Sequence, residues 1–167
     1  MKYRNIILKG SADISEGTTI NNVVIADNVK IAKRCSIFGS AEHLLYIGEH
    51  SYIGMNTLIN GFSAPISIGA CVSIAQNVNI MSDSGPNASN KLQLAYPLIA
   101  EPVVISDHCW IGASSIIMPG VTLGKYCVVA AMSFVNSSFP DYSVIGGCPA
   151  RLLKKLDPSL SKGNDND

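Results

Sequence analysis

One polar stretch, residues 81–104, opens with Met-Ser-Asp-Ser-Gly-Pro and holds the first candidates for proton transfer. Asp83 is the candidate general base, because a carboxylate beside an apolar cleft gains enough proton affinity to take a proton from a substrate. Ser84 is a candidate for orienting that base or the substrate, although the sequence offers it no evident activating partner. The alternative is that Asp83 only closes a turn, because Ser-Asp-Ser-Gly-Pro-Asn is a strong turn sequence.

Three histidines, His43, His50 and His108, are the other side chains suited to acid–base chemistry. His50 and His108 hold equivalent places in Ile-Gly-Glu-His-Ser-Tyr and Ile-Ser-Asp-His-Cys-Trp, three residues after an isoleucine. His108 is a candidate catalytic residue, and the alternative for both is a surface turn residue. His43 lies in a short insertion from which it could reach a neighbouring copy of the chain. The spacing of the three does not suit a metal site, so no metal is expected.

The elements that must position these residues follow from a six-residue repeat of aliphatic side chains. Its members are Ile25, Ile31, Ile37; Ile47, Ile53, Ile59; Ile68, Ile74, Ile80; and Ile105, Ile111, Ile117, Leu123, Val129, Val135. A helix repeats every 3.6 residues and a strand every 2, so neither explains this spacing. The repeat predicts an all-β fold, a parallel β-helix in which each hexapeptide forms one strand and one turn, and three form a coil.

Interruptions of the repeat predict where the solenoid is irregular. Residues 1–24 carry weak repeats that slip in register, and insertions lie at 40–46, 60–67 and 81–104. The last is predicted to be a protruding central loop, and long loops in compact domains are often functional. Residues 1–156 are predicted to be one domain that ends in a short helix at 150–156. Residues 157–167 are predicted to be a disordered tail.

Composition excludes some classes of protein. Twelve basic residues balance twelve acidic ones, which gives no electrostatic case for binding nucleic acid. No run of about 18 apolar residues exists, so no membrane span is expected. The N-terminal apolar stretch is too short for a signal peptide, so a cytoplasmic location is expected.

Cys35, Cys109 and Cys127 fall four residues after a repeat aliphatic, where the side chain points inward. Packing rather than disulfide formation is their expected role.

Two segments carry a resemblance to a known family: Trp-Ile-Gly-Ala-Ser-Ser-Ile-Ile-Met-Pro-Gly-Val-Thr-Leu-Gly at 110–124 and Gly-Cys-Pro-Ala-Arg-Leu-Leu-Lys-Lys at 147–155. With the repeat and the central loop, they resemble the hexapeptide-repeat acyltransferases, and most closely the sugar O-acetyltransferases that act on galactosides and maltose. The resemblance implies a left-handed parallel β-helix and a homotrimer with active sites in the clefts between subunits. It also implies acetyl-CoA as the donor, with its pantetheine arm lying along the cleft.

The resemblance implies a donor site built on small residues. Gly112, Ala113 and Ala131 match family positions whose backbone groups hold the pantetheine amides. Small side chains suit this role, because larger ones would keep the ligand away from the backbone. The alternative is that all three are only turn residues of the coil.

Other site residues are also implied by family position. Asn136 matches a residue that contacts the nucleotide end of CoA, and Arg151 and Lys154 match cations near its phosphates. Trp110 matches an aromatic that shapes the catalytic cleft, and Asn60 matches an asparagine that faces the acceptor sugar. The alternatives are a solvated cationic pair for Arg151 and Lys154 and a subunit-interface anchor for Trp110.

The chain departs from the family pattern at the catalytic base. The family usually supplies a histidine from the central loop, and Gly85 stands at that position here. An O-acetyltransferase acting on a sugar or polysaccharide precursor therefore needs a different base, from Asp83 or from a histidine of a neighbouring subunit. Transfer to an amino sugar is the second hypothesis, because a neutral amine needs less help from a base. A non-catalytic CoA-binding scaffold is the third, and a γ-class carbonic anhydrase, which needs three metal-binding histidines, is the fourth.

Overall fold

The structure, a computed structural model, describes residues 3–162, and nearly all of its regular elements are short β-strands. The elements are β1 (Tyr3–Leu8), β2 (Ala12–Ile14), β3 (Thr19–Ile25), β4 (Val29–Ile31), β5 (Ser36–Gly39), β6 (Leu45–Ile47), β7 (Tyr52–Ile53), β8 (Leu58–Gly61), β9 (Ile66–Ile68), β10 (Ser73–Ile74), β11 (Asn79–Met81), β12 (Asp83–Ser84), α1 (Asn90–Gln93), β13 (Ile99–Ala100), β14 (Val103–Ile105), β15 (Trp110–Ile111), β16 (Ile116–Ile117), β17 (Thr122–Leu123), β18 (Val128–Val129), β19 (Phe134–Val135), β20 (Ser143–Gly147), β21 (Ala150–Lys155) and a 3-10 helix (Pro158–Lys162).

The β-helix has three faces, and each face is a stack of parallel strands. The first face stacks β2, β4, β7, β10, β15, β18 and β20 in that order. The second stacks the first half of β3 with β5, β8, β11, β16 and β19, and the third stacks the second half of β3 with β6, β9, β14 and β17. Each strand therefore pairs with the strands one coil before and one coil after it, which is the parallel β-helix predicted from the repeat.

The repeat aliphatics fill the interior. All of them from Ile25 to Val135 are at most 1% exposed, and they form one continuous cluster along the helix. They stack in register, for example Ile53 beside Ile74 and Ile74 beside Ile111. Because identical side-chain positions lie directly above one another, each coil packs on the next with the same geometry.

A second inward position, four residues after each repeat aliphatic, is filled by small side chains. Ser51, Thr57 and Ser115 donate hydrogen bonds from this position to backbone carbonyls of the next coil. Cys35 and Cys109 do the same through their thiols, at 3.2 and 3.1 Å. Cys35, Cys109 and Cys127 are buried and unpaired, so their predicted packing role is confirmed.

The chain turns a corner at the residue directly before each of these small inward residues, and the backbone of that turn residue is in the left-handed region. His50, Asn56, His108 and Ser114 all have φ between +57° and +59° there. Asparagine and histidine tolerate this conformation better than most residues. The surface-turn interpretation of His50 and His108 therefore describes their backbone correctly.

The predicted slip of register in the first coil has a simple cause. β3 runs through the corner between the second and third faces without a loop, and Asn22 alone makes the bend at φ +56°. Ile20 and Ile25 are consequently both buried although only five positions separate them. β1 pairs in parallel with residues 20–25 of β3 and covers this end of the helix.

The three insertions lie at the same corner, between the second and third faces, and this is called the insertion corner below. Residues 40–44 connect β5 to β6, residues 62–65 connect β8 to β9, and residues 82–102 connect β11 to β14. The central loop protrudes as predicted but has its own structure. It contains an antiparallel pair, β12 with β13, and the short helix α1, whose first turn is capped by Ser89.

The C-terminal segment differs from the sequence prediction. Residues 150–156 do not form a helix: Ala150–Lys155 is the strand β21, antiparallel to β20. The exposed edge of β20 offers unpaired backbone groups, and pairing with them outweighs the helical preference of the leucine- and lysine-rich segment. The tail predicted to be disordered forms a 3-10 helix at Pro158–Lys162, and positions 163–167 lie outside the described residues. Within residues 3–162, no helix is long and apolar enough to cross a membrane.

Truncating one core side chain tests the stacking of coils. Ile74→Ala should lower the free energy of unfolding by about 3 kcal/mol, because it removes buried contacts with Ile53 and Ile111 and leaves a cavity. Urea unfolding followed by circular dichroism measures this. Ser73→Ala, next to it on the exposed side of β10, should change the stability by less than about 0.5 kcal/mol. Equal losses for both variants would contradict the inward stacking.

Candidate functional site

A cavity of about 370 Å³ opens at the insertion corner, between the central loop and the second face. It is called the Asp83 cavity, and its lining residues are Phe38, Asn60, Phe62, Ser63, Asp83, Ser84, Asn87, Leu98, Ile99 and Ala100. The structure therefore brings together three residues singled out from the sequence, Asn60, Asp83 and Ser84. They are separated in sequence but meet because strands β8 and β11 are neighbours in the stack.

Ser82, which is next to Asp83 but does not line the cavity, connects the segments that surround it. It is fully buried, and its hydroxyl accepts a hydrogen bond from the Ala64 N–H at 3.2 Å. Its own N–H donates to the Asn60 carbonyl at 2.9 Å, and its carbonyl accepts from the Glu101 N–H at 2.9 Å. One residue thus ties the 62–65 turn to both ends of the central loop, so the side chains on these segments are held at fixed separations.

The polar groups of the Asp83 cavity are oriented by hydrogen bonds. The Ser63 hydroxyl donates to Oδ2 of Asp83 at 2.5 Å. The side-chain oxygen of Asn60 accepts from the Phe62 N–H at 3.0 Å, which leaves the Asn60 amide nitrogen as the group able to donate to a ligand. The cavity therefore presents a carboxylate acceptor and an amide donor, the pair needed to bind and deprotonate a polar group of a substrate.

Gly85, which the family resemblance matches to a histidine, packs against the returning strand of the central loop. A Cβ placed on Gly85 would overlap the side chain of Leu98 and lie 3.0 Å from its Cα. Leu98 thus occupies the space that a larger residue at position 85 would need. No histidine is among the residues that line the Asp83 cavity.

A second cavity of about 480 Å³ lies along the first face and the corner between the first and second faces. It is called the Trp110 groove, and its lining residues are Ala75, Trp110, Gly112, Ala113, Val128, Val129, Ala130 and Ala131. Trp110 is 58% exposed and forms one wall, while alanine and glycine form the floor. Four of the predicted site residues, Trp110, Gly112, Ala113 and Ala131, therefore meet here.

The floor of the Trp110 groove offers free backbone donors. The N–H groups of Ala113 and Ala131 have no hydrogen-bond partner among the described residues, although the Ala113 carbonyl accepts from the Met132 N–H at 2.8 Å. Gly112 has a structural requirement of its own, because a Cβ there would lie 2.5 Å from the backbone nitrogen of Ala131. An extended ligand could lie in this groove with its carbonyl groups facing the free N–H donors.

The cations of the tail extend the first face beyond the groove. Arg151 and Lys154 are exposed on β21, opposite Gly146 and Val144 of β20. Asn136 is exposed at the end of β19, at the insertion corner, and it does not line the Trp110 groove of its own chain. The structure therefore places Arg151 and Lys154 on the same face as Trp110 and places Asn136 elsewhere.

His108 lies apart from both cavities, at the corner between the third and first faces. Its ring stacks on Tyr126 at 4.7 Å between centroids, and Tyr126 stacks on Tyr142 at 5.2 Å. Beside it the Lys125 ammonium, 2.9 Å from Asp107, holds the pKa of that carboxyl below its ordinary value. Within one chain His108 is therefore part of an aromatic stack and does not reach either cavity.

The other two histidines are also separate from the cavities. His50 shares the corner of His108, with its Nδ1 2.9 Å from the Asn28 side-chain amide, and His43 lies in the 40–44 connection. Among residues 3–162, no group of three or more histidine, cysteine or acidic side chains is arranged to hold a metal ion.

The second face separates the two cavities within one chain. The Asp83 cavity is at one edge of this face and the Trp110 groove is at the other. A proton acceptor and an extended-ligand groove are thus present on the same molecule but do not face each other. The residues that sequence reasoning missed are Ser63, Ser82 and Leu98, because turn positions without a repeat give no signal of what they contact.

Comparison with known proteins agrees with this architecture. Residues 102–137 match the family model described as bacterial transferase hexapeptide (six repeats). The chain is 31% identical to the galactoside O-acetyltransferase of Escherichia coli over 68% of its length and 55% of that relative's. It therefore spans little more than half of that curated relative.

Two solved structures give the same result. The N-acyltransferase AntD from Bacillus cereus, in complex with dTDP and 3-hydroxybutyryl-CoA, has a TM-score of 0.74 and 25% identity, over 96% of this chain and 85% of AntD. A hexapeptide-repeat acetyltransferase from Vibrio cholerae, complexed with acetyl-CoA, has a TM-score of 0.60 and 37% identity, over 68% of this chain and 61% of the other.

The repeat, the stacked coils and these likenesses place the chain in one class of protein. It belongs to the hexapeptide-repeat transferases, and the left-handed parallel β-helix predicted from the sequence is the fold of that family.

The role of Ser82 is testable by stability. Ser82→Ala should lower the free energy of unfolding by about 1–2 kcal/mol, because the buried Ala64 N–H loses its acceptor. Chemical unfolding measures this, with Ser84→Ala as the matched control, since no side-chain hydrogen bond of Ser84 is found among the described residues. A loss for Ser84→Ala as large as that for Ser82→Ala would refute the role assigned to Ser82.

Proposed function

We propose that this protein transfers an acyl group from a coenzyme A thioester, with acetyl-CoA as the first candidate, to a sugar. The observation that carries the proposal is the pairing of a small-residue groove bearing free N–H donors with a cavity that presents an oriented carboxylate. The galactoside O-acetyltransferase and AntD, both similar to this chain, are acyltransferases by name, which supports the same conclusion.

The donor lies in the Trp110 groove in this proposal. Its pantetheine amide carbonyls accept hydrogen bonds from the N–H groups of Ala113 and Ala131, and the ring of Trp110 covers the arm. Arg151 and Lys154 attract the phosphates of CoA from the extended first face. No metal takes part in the proposed reaction.

The acceptor lies in the Asp83 cavity. The Asn60 amide donates to one oxygen of the sugar, and Asp83 accepts the proton released as the acceptor atom attacks the thioester carbon. The tetrahedral intermediate collapses, the carbon–sulfur bond breaks and the CoA thiolate leaves. Ser63 holds the Asp83 carboxylate in place, and Ser84 positions the sugar from the same wall of the cavity.

A homotrimer completes the site in this proposal. One chain carries the two cavities at opposite edges of its second face, so a neighbouring copy must supply the groove that faces each Asp83 cavity. Large apolar side chains are exposed where a neighbouring subunit would contact them. Leu94 and Tyr96 on the central loop are 89% and 69% exposed, and Met132 beside the Trp110 groove is 79% exposed. Asn136 reaches the nucleotide end of CoA across the same cleft.

The acceptor atom is an amine nitrogen or a hydroxyl oxygen. Amine transfer is the better supported, because the cavity lining has a carboxylate and no imidazole. A neutral amine is nucleophilic enough to attack before it loses a proton, whereas a hydroxyl is a weak nucleophile and needs a base to take its proton as it attacks. Hydroxyl transfer is the second candidate, and the likeness to the galactoside O-acetyltransferase favours it. Thiol release from acetyl-CoA with glucosamine and glucose as paired acceptors distinguishes the two.

The role of Asp83 predicts a specific pattern of activity. Asp83→Asn should lower kcat by about 100-fold or more with little change in the KM for acetyl-CoA, because proton transfer is lost and the donor groove is untouched. Steady-state thiol release with the better acceptor measures both constants. Ser63→Ala should lower kcat by about tenfold, and Ser63→Thr, which keeps the hydroxyl, should restore most of it.

Histidine variants serve as the comparison for Asp83. His108→Asn and His50→Asn change equivalent turn positions, and asparagine accepts the left-handed backbone at both. Loss of turnover in His108→Asn together with full activity in Asp83→Asn would assign the base to a histidine of the neighbouring subunit. Tight CoA binding by the wild type without turnover on any acceptor would identify a scaffold instead of an enzyme.

A larger side chain in the Trp110 groove tests whether CoA binds there. Ala131→Leu should weaken CoA binding by about 100-fold or more, because the side chain is exposed on the groove floor and a leucine would block the backbone donors. Isothermal titration calorimetry with CoA measures this directly. Gln76→Leu places the same side chain at the equivalent turn position two coils earlier and should leave the affinity unchanged. Equal affinities for Ala131→Leu and wild type would disprove this location of the donor.

A further inference from the structure

A third cavity, of about 450 Å³, adjoins the Asp83 cavity towards the N-terminal end of the helix. Its lining residues are Arg4, Asn22, Ser40, Ala41, Glu42 and Phe62, and it is called the Arg4 cavity. Phe62 lines both this cavity and the Asp83 cavity. The two spaces are therefore neighbours on either side of one aromatic ring, which is 61% exposed.

The register of the second face fixes how far apart the two cavities are. Arg4 of β1 pairs with Asn21 of β3, Asn21 pairs with Phe38 of β5, and Phe38 pairs with Asn60 of β8. Three strand spacings of about 4.8 Å each separate the backbone of Arg4 from that of Asn60, a distance of about 14 Å. This span exceeds one monosaccharide ring and suits a sugar that carries a further group.

The free polar groups of the Arg4 cavity indicate the chemistry of that further group. The Arg4 guanidinium has no hydrogen-bond or ion-pair partner among residues 3–162, and the Ser40 hydroxyl keeps its proton available because its oxygen only accepts from the His43 N–H at 3.1 Å. The Asn22 side chain is already bound to Asn5 and to the Gly39 carbonyl. A planar cation beside a hydroxyl donor is the arrangement that binds phosphate oxygens.

The negative charge of Glu42 limits which anionic ligands the Arg4 cavity can bind. Its carboxylate lines the same cavity and would repel a bare anion, but it can accept hydrogen bonds from hydroxyl groups next to the phosphate. A phosphate ester that also presents hydroxyls satisfies Arg4, Ser40 and Glu42 together. Phe62 offers its exposed face to the part of the ligand that passes between the cavities.

We infer that the acceptor is a glycosyl phosphate ester, with its sugar in the Asp83 cavity and its phosphate against Arg4. The inference rests on the proposed function for the identity of the reaction, but phosphate binding at Arg4 stands independently of catalysis. Sugar 1-phosphates and nucleoside diphosphate sugars share this chemistry, and the second class extends further beyond Arg4.

The kinetic test compares free and phosphorylated forms of one sugar. Acetyl-CoA turnover is measured with glucosamine, glucosamine 1-phosphate and UDP-glucosamine, for wild type, Arg4→Gln and Lys30→Gln. The wild type should show a kcat/KM at least tenfold higher for a phosphorylated acceptor than for glucosamine, and Arg4→Gln should lose about 10- to 100-fold of that preference. Lys30→Gln, which removes an exposed cation on the first face, should keep the preference. Higher activity with UDP-glucosamine than with glucosamine 1-phosphate identifies the nucleotide-linked class.

A binding test separates this inference from the proposed reaction. Isothermal titration calorimetry with UDP and with glucose 1-phosphate, in the absence of acetyl-CoA, should detect binding to wild type and to Asp83→Asn that Arg4→Gln weakens at least tenfold. Binding of this kind without any acyl transfer would support the phosphate subsite while refuting the proposed reaction. Equal activity on free and phosphorylated acceptors, or binding unaffected by Arg4→Gln, would overturn the inference.

Discussion

The coil-to-coil stacking of parallel strands is the constraint on which the rest of the molecule depends. Every strand of a face receives its backbone partners from the coils before and after it, and the same register brings buried aliphatics such as Ile53, Ile74 and Ile111 into one column. A coil can therefore be neither shifted nor rotated without exposing its aliphatic residues and breaking its backbone hydrogen bonds to both neighbouring coils. This rigidity allows the corners to vary in length while the faces remain unchanged.

The corners of the β-helix form two kinds of surface, one at short turns and one at long insertions. Where the turns are short and built from glycine and alanine, these small residues form the floor of the Trp110 groove, and the N–H groups of Ala113 and Ala131 have no hydrogen-bond partner among the described residues. Where the turns are long, side chains from successive insertions meet, and Ser82 ties the 62–65 and 82–102 insertions to each other and to the end of β8. The first surface suits an extended ligand bound through main-chain donors. The second suits a compact polar ligand bound through side chains, and it extends past Phe62 to Arg4.

Gly85, the position at which the family resemblance predicts a histidine, lies in a closely packed part of the central loop. Leu98 returns against Gly85 in the antiparallel pair of β12 and β13, so the wall of the cavity is apolar at this point. Asp83 lies on β12, near the start of this loop. Ser63, from the preceding insertion, donates a hydrogen bond to its carboxylate. In the proposed reaction the proton acceptor has therefore moved by two positions along the chain without any change in the helix that supports it.

The sequence by itself determined the solenoid, because a period of six in isoleucine, leucine and valine is compatible with no other regular structure. It also determined that Cys35, Cys109 and Cys127 are buried and that His50 and His108 occupy turns, since both follow from position within the repeat. Tertiary structure alone decided three things: that Asn60 and Asp83 share a cavity, that residues 150–155 pair with an open strand edge, and that Ser63 contacts Asp83. These contacts lie in the irregular insertions and at the end of the helix. There no periodic pattern records which residues meet, and competition for backbone partners outweighs local preference.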